Sequence, residues 1–312
     1  MTATITSGQS RQIGTFGTVA IEKVLEALGL SKEEAQRVIE NGDEFTEAMR
    51  TTAEQTIQRL RSPADFASEE TDSSYGYLSG YEKPLGITEQ ANRLRKAFPG
   101  LGQVSIELQA RIERSSVHLP KHAEGWFCVP NWIKSCEAGS GFAGHPKLFG
   151  ENYSSVVRKM LDVLKQAVNG KFYNYREGEI DEAHLRQSAR TKAYFQKLSD
   201  AQGNPDILIV PAQFGIRHRG KSVRRARVVF QSNECGLGAF AIGCMLLTHP
   251  NRLANLDDLW IDCAGDEFAP EADGRFVVAP FFGFGVGGLK FGAVGVGVAY
   301  SNYGSASSLL PE

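Results

Sequence analysis

Long apolar stretches are missing from this chain of 312 residues. No run approaches the roughly 18 apolar residues of a membrane-spanning helix, so we expect no membrane partner. The N-terminal sequence MTATITSGQSRQIGTFG contains no apolar signal core, which predicts that the chain is not secreted. Cysteine is scarce, and its odd count of five favours reduced thiols and a cytoplasmic location over a disulfide framework.

A strong excess of charge is also missing. Lys and Arg total 34 and Asp and Glu total 36, so the formal net charge is −2. This balance excludes a histone-like polycation and an acidic tail protein, but it leaves room for a local basic patch. Glycine, in contrast, is abundant at 33 residues, and many of them lie in residues 275–300.

Composition divides the chain into four parts. Residues 1–16 are polar and contain Gly and Ser, which predicts a disordered N-terminus. Residues 17–61 show helical periodicity and predict a small helical region. Residues 62–86 are rich in Ser, Gly, Pro and acidic residues without a sustained period, which predicts a linker. Residues 87–312 then form the main domain.

The main domain alternates helical and strand patterns. Residues 206–214 (DILIVPAQF) are continuously apolar and predict a strand buried on both faces. The Gly-rich residues 275–300 alternate roughly and predict an antiparallel hairpin or meander. We therefore expect an α/β or α+β fold with a mixed sheet. The other expected helices are 88–97, 153–168, 181–198, 237–247 and one from Ser222 onward, and the other expected strands are 103–112, 125–132 and 259–262.

Residues 25–42 resemble the helix-turn-helix of DNA-binding repressors, with Gly29 at the turn. Ser31 and Glu34 have the spacing of a capping box, which places a helix start at Ser31. Glu33 and Glu34 would stand where a recognition helix meets DNA, and their charge would repel phosphates. We interpret this region as an ordinary helical hairpin.

One segment is strongly basic. Residues 217–227, which we call the basic segment, contain six Lys or Arg residues and no acidic residue. The segment follows the buried strand 206–214 and precedes an expected helix, a position where α/β proteins often bind anions. The residues to which we assign nucleic-acid or phosphate contacts are Arg217, Arg219, Lys221, Ser222, Arg224, Arg225 and Arg227.

Charge segregation makes nucleic acid the natural partner of the basic segment. Since its six cations contribute to a total of only −2, the rest of the chain carries about −8. DNA or RNA would be held through phosphate contacts, and Tyr173, Tyr175 and Arg176 would add stacking if the fold brings them near. The alternative is that acidic residues of the same chain neutralise the basic segment.

An enzymatic alternative rests on residues 215–222, which match the phosphate-loop expression G-x-x-x-x-G-K-[ST]. In that hypothesis Lys221 binds phosphates, Ser222 and Asp262 hold Mg²⁺, and Glu267 activates water. The crowding by Arg and His inside the loop and the Gly-rich tail after it weaken the hypothesis of a phosphate-loop NTPase.

The candidate catalytic residues Asp262, Asp266 and Glu267 lie within six residues, directly after an expected strand. Such carboxylates can bind Mg²⁺ beside a basic nucleic-acid track, as in a metal-dependent nuclease or phosphoryl hydrolase. The alternative is a structural ion-pair network with the arginines of the basic segment.

A second group of residues has zinc-ligand chemistry but irregular spacing. It contains no C-x₂-C pair, so buried thiols and surface histidines are the simpler interpretation. The weak metal candidates are His118, His122, Cys128, Cys136 and His145.

Three segments together resemble a family of uncharacterised bacterial proteins: HAEGWF at residues 122–127, FGIRHRGKSVRRAR at 214–227 and DCAGDEF at 262–268. The resemblance covers about residues 85–311 and implies no activity. Independently of this resemblance, a further hypothesis is an oligomeric structural protein, a homo-oligomer whose Gly-rich C-terminal sheet serves as the interface.

Overall fold

A computed structural model describes residues 6–114, 117–136 and 149–310, apart from the side chains of residues 54, 55, 58, 59, 135 and 136. Contacts divide the chain into two compact units, Met1–Ile57 and Gln58–Glu312. The elements are helices together with mixed and antiparallel sheets, which confirms the α+β alternative of the expected fold class. None of the helices within the described ranges has the length and apolar character that crossing a bilayer requires.

Three helices begin in the first unit: α1 (Ser7–Leu28), α2 (Lys32–Glu40) and α3 (Gly42–Leu60). The expected capping box is confirmed, because the Ser31 side chain accepts from the Glu34 backbone and the Glu34 side chain accepts from the Ser31 backbone. Among the described residues up to position 57, none is buried.

Helix α1 begins inside the segment 1–16, for which composition predicts disorder. A second capping box explains the early start, because the side chains of Thr6 and Gln9 accept hydrogen bonds from each other's backbone N–H groups. The helix ends at Gly29, whose φ of 58° is a left-handed conformation that favours glycine.

The second unit contains most of the fold. Its described helices are α4 (Ile87–Ala97), α5 (Ile106–Glu113), α6 (Trp132–Cys136), α7 (Tyr153–Ala167), α8 (Ala189–Ala201), α9 (Val223–Val229) and α10 (Ala239–Thr248). Its described strands are β1 (Gly125–Pro130), β2 (Phe172–Asn174), β3 (Leu185–Gln187), β4 (Ile207–Gln213), β5 (Glu234–Gly236), β6 (Trp260–Asp262), β7 (Asp266–Phe268), β8 (Val278–Gly285), β9 (Gly288–Gly295), β10 (Tyr303–Ser305) and β11 (Ser307–Leu309).

The smaller sheet has the strand order β1-β4-β11-β5, and every neighbouring pair in it is antiparallel. All seven residues of β4 are buried, which confirms the burial predicted for residues 206–214. Helices α4 and α10 pack against β1, and α7 packs against α10. The main hydrophobic core therefore surrounds this sheet.

The larger sheet has seven strands. The order β10-β6-β8-β7-β3 forms its main path, with β9 beside β8 and β2 beside β9. The pairs β10–β6 and β2–β9 are parallel and the others antiparallel. Strands β8 and β9 form the hairpin expected in residues 275–300. One face of this hairpin places Phe282 and Phe291 in the main core.

Two further sequence predictions are wrong at the level of secondary structure. Residues 103–112 alternate like a strand but contain α5, because the Ser105 hydroxyl accepts from the Leu108 backbone and caps a helix start. Residues 181–198 do not form one charged helix. They contain β3 and most of α8, separated by Ser188, whose side chain caps α8.

Residues 62–86, for which the sequence predicts a linker, are bonded into the second unit. Glu70 forms an antiparallel bridge with Lys221, and Gly76 forms a parallel bridge with Asp258. The buried Asp258 carboxylate also accepts from the backbone of Leu78 at 2.7 Å. These contacts satisfy backbone groups that a free linker would leave to water.

A buried polar cluster strengthens this attachment. The Tyr77 hydroxyl donates to the Glu124 carboxylate at 2.5 Å, and burial raises the pKa of Glu124. The Arg252 guanidinium lies 3.7 Å from the centre of the Tyr77 ring and donates to the carbonyls of Phe214 and Leu259. Arg252 is fully buried, and its Nη2 contacts and the Tyr77 ring link the segment to the end of β4. Its Nε and Nη1 have no hydrogen-bond partner within the described residues.

Candidate functional site

The basic segment leaves the end of β4 through a 3₁₀ turn, Ile216–His218, and continues into α9. Gly215 precedes the turn with a φ of 121°, and a Cβ atom there would lie 2.6 Å from the carbonyl oxygen of Gly304. Glycine is therefore required where the segment passes β10. This close approach determines where every following cation lies.

Glu234 neutralises the start of the basic segment. Its carboxylate, which is fully buried, accepts from Arg217 Nε at 3.2 Å, from His218 Nε2 at 2.7 Å and from Ser307 Oγ at 2.6 Å. Burial alone would raise the pKa of Glu234, but the hydrogen bonds from His218 and Ser307 outweigh it and hold the pKa at about 2. Glu234 is therefore a buried anion that binds two basic side chains of its own chain.

Glu69 occupies the position in front of α9. It accepts from the Ser222 hydroxyl at 2.7 Å and from Arg224 Nε at 2.7 and 2.8 Å. Arg224 also lies 4.5 Å from the centre of the Phe66 ring. Burial raises the pKa of Glu69, but the hydrogen bonds from Arg224 and Ser222 outweigh it, so the pKa is lowered.

Glu70, the next residue, pairs with two more cations. Its carboxylate lies 2.5 Å from Arg225 Nε and 3.5 Å from Lys221 Nζ. Arg225 also donates to the carbonyl of Asp65 at 3.0 Å. The acidic residues Glu69 and Glu70 thus lie where the sequence predicts the phosphates of a nucleic acid.

The two remaining cations of the segment contact backbone carbonyls. Arg227 donates to Ala264 at 2.9 Å and to Asp266 at 2.6 Å. Arg219 donates to Tyr75 at 2.9 Å but stays exposed to solvent. Within residues 217–227, all of which are described, Arg219 is the one exposed Lys or Arg.

Residues 215–222, which match the phosphate-loop expression, do not have the surrounding structure of a phosphate loop. In that motif the loop joins a parallel strand to a helix, whereas β4 runs antiparallel to both of its neighbours. A Cβ atom on Gly220 would lie 2.2 Å from the carbonyl oxygen of Thr71, so the chain itself fills the space beside the loop. Lys221 and Ser222 are bonded to Glu70 and Glu69. No feature of this geometry favours nucleotide binding.

Two of the candidate catalytic carboxylates are bonded to separate structural groups. Asp266 is buried and accepts from the Tyr153 hydroxyl and from the backbone of Ala239, each at 2.7 Å, so it caps the start of α10. Glu267 accepts from Arg186 Nε at 2.8 Å. Among the described residues, no three His, Cys, Asp or Glu side chains are placed to hold a metal ion. The carboxylates therefore do not fit a shared Mg²⁺ site.

Asp262 has a different environment. It lies on β6 beside Ser305 of β10 and is almost fully buried. Burial raises the pKa of Asp262 to about 8, despite the opposing charge of Arg227, and burial raises the pKa of Asp266 to about 7. Asp262 Oδ1 and Ser305 Oγ have no hydrogen-bond partner within the described part of the chain. A neutral Asp262 carboxyl therefore fits this site better than a carboxylate.

The candidate metal ligands are not assembled where they are described. His118 and His122 are exposed, whereas Cys128 is buried in β1. Burial raises the pKa of Cys128 to about 12, which keeps it a thiol rather than a thiolate ligand. The Cys136 side chain and all of His145 lie outside the described residues.

A different group of side chains lies in one line across the larger sheet. Tyr303 lies opposite Trp260 on the neighbouring strand, and the Trp260 indole lies over Gly283, where a Cβ atom would be 2.5 Å from it. On the other side, Gly283 lies opposite Lys290, and Lys290 lies opposite Tyr173. We call these five residues the aromatic row. They come from five adjacent strands, β10, β6, β8, β9 and β2, so the row spans about 19 Å at the usual inter-strand spacing.

Glycines make the surface of the aromatic row flat. Trp260 lies across Gly283, and a Cβ atom on Gly292 would lie 2.8 Å from the Phe281 ring. Trp260 and Phe281 stack with ring centres 5.5 Å apart and an interplanar angle of 19°. Larger residues at these glycines would push the rings away from the sheet.

Solvent reaches this face at both ends. Tyr173 is 46% exposed at one end, and Tyr300, whose ring centre lies 5.0 Å from that of Tyr303, is 40% exposed at the other. Tyr175 is also exposed and lies beside Lys290, whose Nζ is 5.9 Å from the centre of its ring. Trp260 and Lys290 are half-buried between them, and Tyr303 itself is buried, so solvent reaches that end of the row through Tyr300.

The basic segment lies on the same face of the sheet. Ala279, Phe281 and Gly283 alternate along β8, and alternate residues share a face. Helix α9 buries Val223 and Ala226 in a small cluster with Ala279. Arg219 forms an antiparallel bridge with Gly304, next to Tyr303. The exposed cation of the segment therefore begins close to one end of the aromatic row.

Sequence reasoning found only part of this face. Tyr173, Tyr175 and Arg176 were expected to add stacking if the fold brought them near the basic segment, but Tyr173 lies at the end of the row away from Arg219. Trp260, Lys290 and Tyr303 were missed because they belong to strands far apart in the chain. The glycines at alternate positions of β8, Gly283 and Gly285, are the one local signal of side chains lying across the sheet.

Comparison of the chain with protein-family models, with curated protein sequences and with solved structures finds no match.

Proposed function

We propose that this protein binds single-stranded nucleic acid on the aromatic row. The observation that carries the proposal is the alignment of Tyr303, Trp260, Lys290 and Tyr173 across adjacent strands. Unpaired bases stack on aromatic rings regardless of sequence, and sheets that present such rings are a common platform for single strands. In a duplex the base faces are stacked on each other, so they are much less accessible to these rings.

Phosphate contacts in this proposal come from Lys290 and Arg219. The other cations of the basic segment support α9 and the strands around it, since Glu69, Glu70 and Glu234 already neutralise most of them. Two phosphate contacts to a single strand predict a slope of log affinity against log salt of about −1.4, whereas six would predict about −4. The slope therefore separates binding on the row from binding on the basic segment.

The test is a titration of the full chain with labelled oligo(dT) and oligo(U), and with a duplex of equal length, at several salt concentrations. We expect both single strands to bind more tightly than the duplex. Tyr173→Ala is expected to weaken binding by about 5- to 100-fold, the range for losing one base stack. Tyr173→Phe keeps the ring and serves as the matched control, with affinity close to that of the wild type.

Three results would contradict the proposal: tighter binding of the duplex, a slope near −4, or equal affinity of the Ala and Phe variants. Binding of a neutral oligosaccharide in place of either oligonucleotide would also contradict it, because sugars stack on aromatic rings as well. Homo-oligomer formation stays a prediction, as does a cytoplasmic location. The free, buried Cys128, Cys235, Cys244 and Cys263 support the latter.

A further inference from the structure

A cavity of about 520 Å³ opens on the second unit, on the face of the β8–β9 hairpin opposite to the aromatic row. This volume lies in the range of about 300–1,000 Å³ that is typical of small-molecule pockets. Apolar side chains from two helices and the hairpin line it. They include Leu164 of α7 and Val168 just after it, Leu246 of α10, Leu253 after a second 3₁₀ turn at Pro250–Arg252, and Phe284 and Leu289 of the hairpin.

The mouth of the cavity carries a single charge. Lys171, Pro250, Ala254 and Gly287 are the exposed residues of the lining, and Lys171 is the one charged residue among all the lining residues. The Lys171 ammonium has no hydrogen bond or ion pair with any described residue. A cation therefore stands at the entrance to an apolar interior without an anion of its own.

Backbone contacts hold the wall beside Lys171. The Leu289 N–H donates to the Lys171 carbonyl at 3.1 Å. Gly288 has a φ of 151°, and a Cβ atom there would lie 2.1 Å from the same carbonyl oxygen. The hairpin turn is thus docked against the residue that carries the charge, so the cavity is formed without a ligand.

From this arrangement we propose that the cavity binds a small amphiphile with one anionic head group. The apolar body enters between α7, α10 and the hairpin, where its burial is favourable, and the head group stays at the mouth near Lys171. A lysine ammonium is a compact charge without the fixed fork of arginine, so it accepts a carboxylate or a phosphate monoester. The site shares no residue with the aromatic row and does not depend on the proposed nucleic-acid binding.

Calorimetric titration of the full chain with decanoate, decyl phosphate and decan-1-ol tests the proposal, with the two anions below their micellar concentrations and the alcohol below its solubility limit. We expect one molecule per chain, with at least one of the anions bound more tightly than the alcohol. Comparing the two anions distinguishes a carboxylate from a phosphate head group. Lys171→Ala is expected to weaken anion binding by about 5-fold, in line with an exposed ion pair, and to leave the alcohol unaffected. Lys165→Ala removes an exposed lysine outside the lining and should change neither.

A cavity-filling variant tests the apolar half of the site. Ala254→Trp places an indole at the exposed rim of the cavity and is expected to weaken the binding of all three ligands by more than 10-fold. Leu256→Trp adds the same side chain at a nearby exposed position outside the lining and is the matched control. The proposal is overturned if none of the three ligands binds saturably, if the alcohol binds as tightly as both anions, or if Ala254→Trp binds like the control.

Discussion

The basic segment and the aromatic row lie on one face of the same sheet but use their side chains in opposite ways. The segment is contiguous in sequence, and its cations are bonded to Glu69, Glu70, Glu234 and backbone carbonyls. The residues of the row are scattered along the chain from Tyr173 to Tyr303. Tyr173, at one end of the row, and the neighbouring Tyr175 and Tyr300 are exposed to solvent. A cluster of charge in the sequence is therefore not yet a binding surface, since its counter-ions can belong to the same chain, as they do here.

The largest effect that tests the structural role of the basic segment is expected at Glu234. Glu234→Ala leaves Arg217 and His218 without their buried anion, and breaking such a buried pair costs about 3–5 kcal/mol of unfolding free energy. Urea denaturation followed by circular dichroism measures this loss. Glu271→Ala, at an exposed acid, is the control and should stay within about 0.5 kcal/mol of the wild type. Equal stability of the two variants would contradict a structural role for the start of the basic segment.

Asp262 of β6, which pairs with Phe281 on the shared face, predicts a pH dependence of stability. Its folded-state pKa of about 8 lies above its ordinary value, so its contribution is fully present at low pH and is lost as pH rises through about 8. We expect the free energy of unfolding to fall between pH 6 and pH 8 by at most about 1.4 kcal/mol per pH unit for this one group. Asp262→Asn should show a shallower fall in urea denaturation. A variant as pH-sensitive as the wild type would rule out this group as the source.

The double change Arg224→Ala with Arg225→Ala separates the two regions directly. It removes the half-buried partners of Glu69 and Glu70, so we expect a loss of about 1–2 kcal/mol in stability. The affinity of the folded variant for oligo(dT) should remain within about 2-fold of the wild type, because neither arginine contacts the aromatic row. A large loss of affinity in folded protein, measured by fluorescence anisotropy, would instead show that the basic segment binds the nucleic acid.

The smallest expected effect is at Lys290, within the aromatic row. Lys290→Ala should weaken oligo(dT) binding by about 2- to 5-fold and make the salt slope shallower by about 0.7, the value for one phosphate contact to a single strand. Anisotropy titrations at several salt concentrations measure both. Lys197→Ala, at an exposed lysine of α8, is the control for general charge effects. An unchanged slope in the Lys290 variant would remove this residue from the interface.

Much of the secondary structure follows from short-range patterns. The capping box at Ser31, the apolar run of β4 and the alternation of the β8–β9 hairpin all act within a few residues, and each prediction is confirmed. Residues 103–112 differ, because their alternation resembles a strand while the cap at Ser105 starts a helix. Ile106 is 81% exposed, so alternation there did not reflect burial.

The candidate sites were harder to predict than the elements. The basic segment was identified from composition, but nothing local indicated that Glu69 and Glu70, about 150 residues earlier, would reach it. The carboxylates Asp262, Asp266 and Glu267 are close in sequence, yet pairing with different groups separates their roles. Residues that are close along the chain were therefore identified as candidates, but their closeness did not predict which groups they contact.

The cap at Ser31, the buried strand β4 and the β8–β9 hairpin follow from the sequence alone, because they depend on hydrogen bonds and side-chain patterns within a few residues. Tertiary structure alone decided the partners of the basic segment and the alignment of Tyr173, Lys290, Gly283, Trp260 and Tyr303. That alignment depends on the register of five strands spread over more than a hundred residues, and register is settled by packing of the whole sheet.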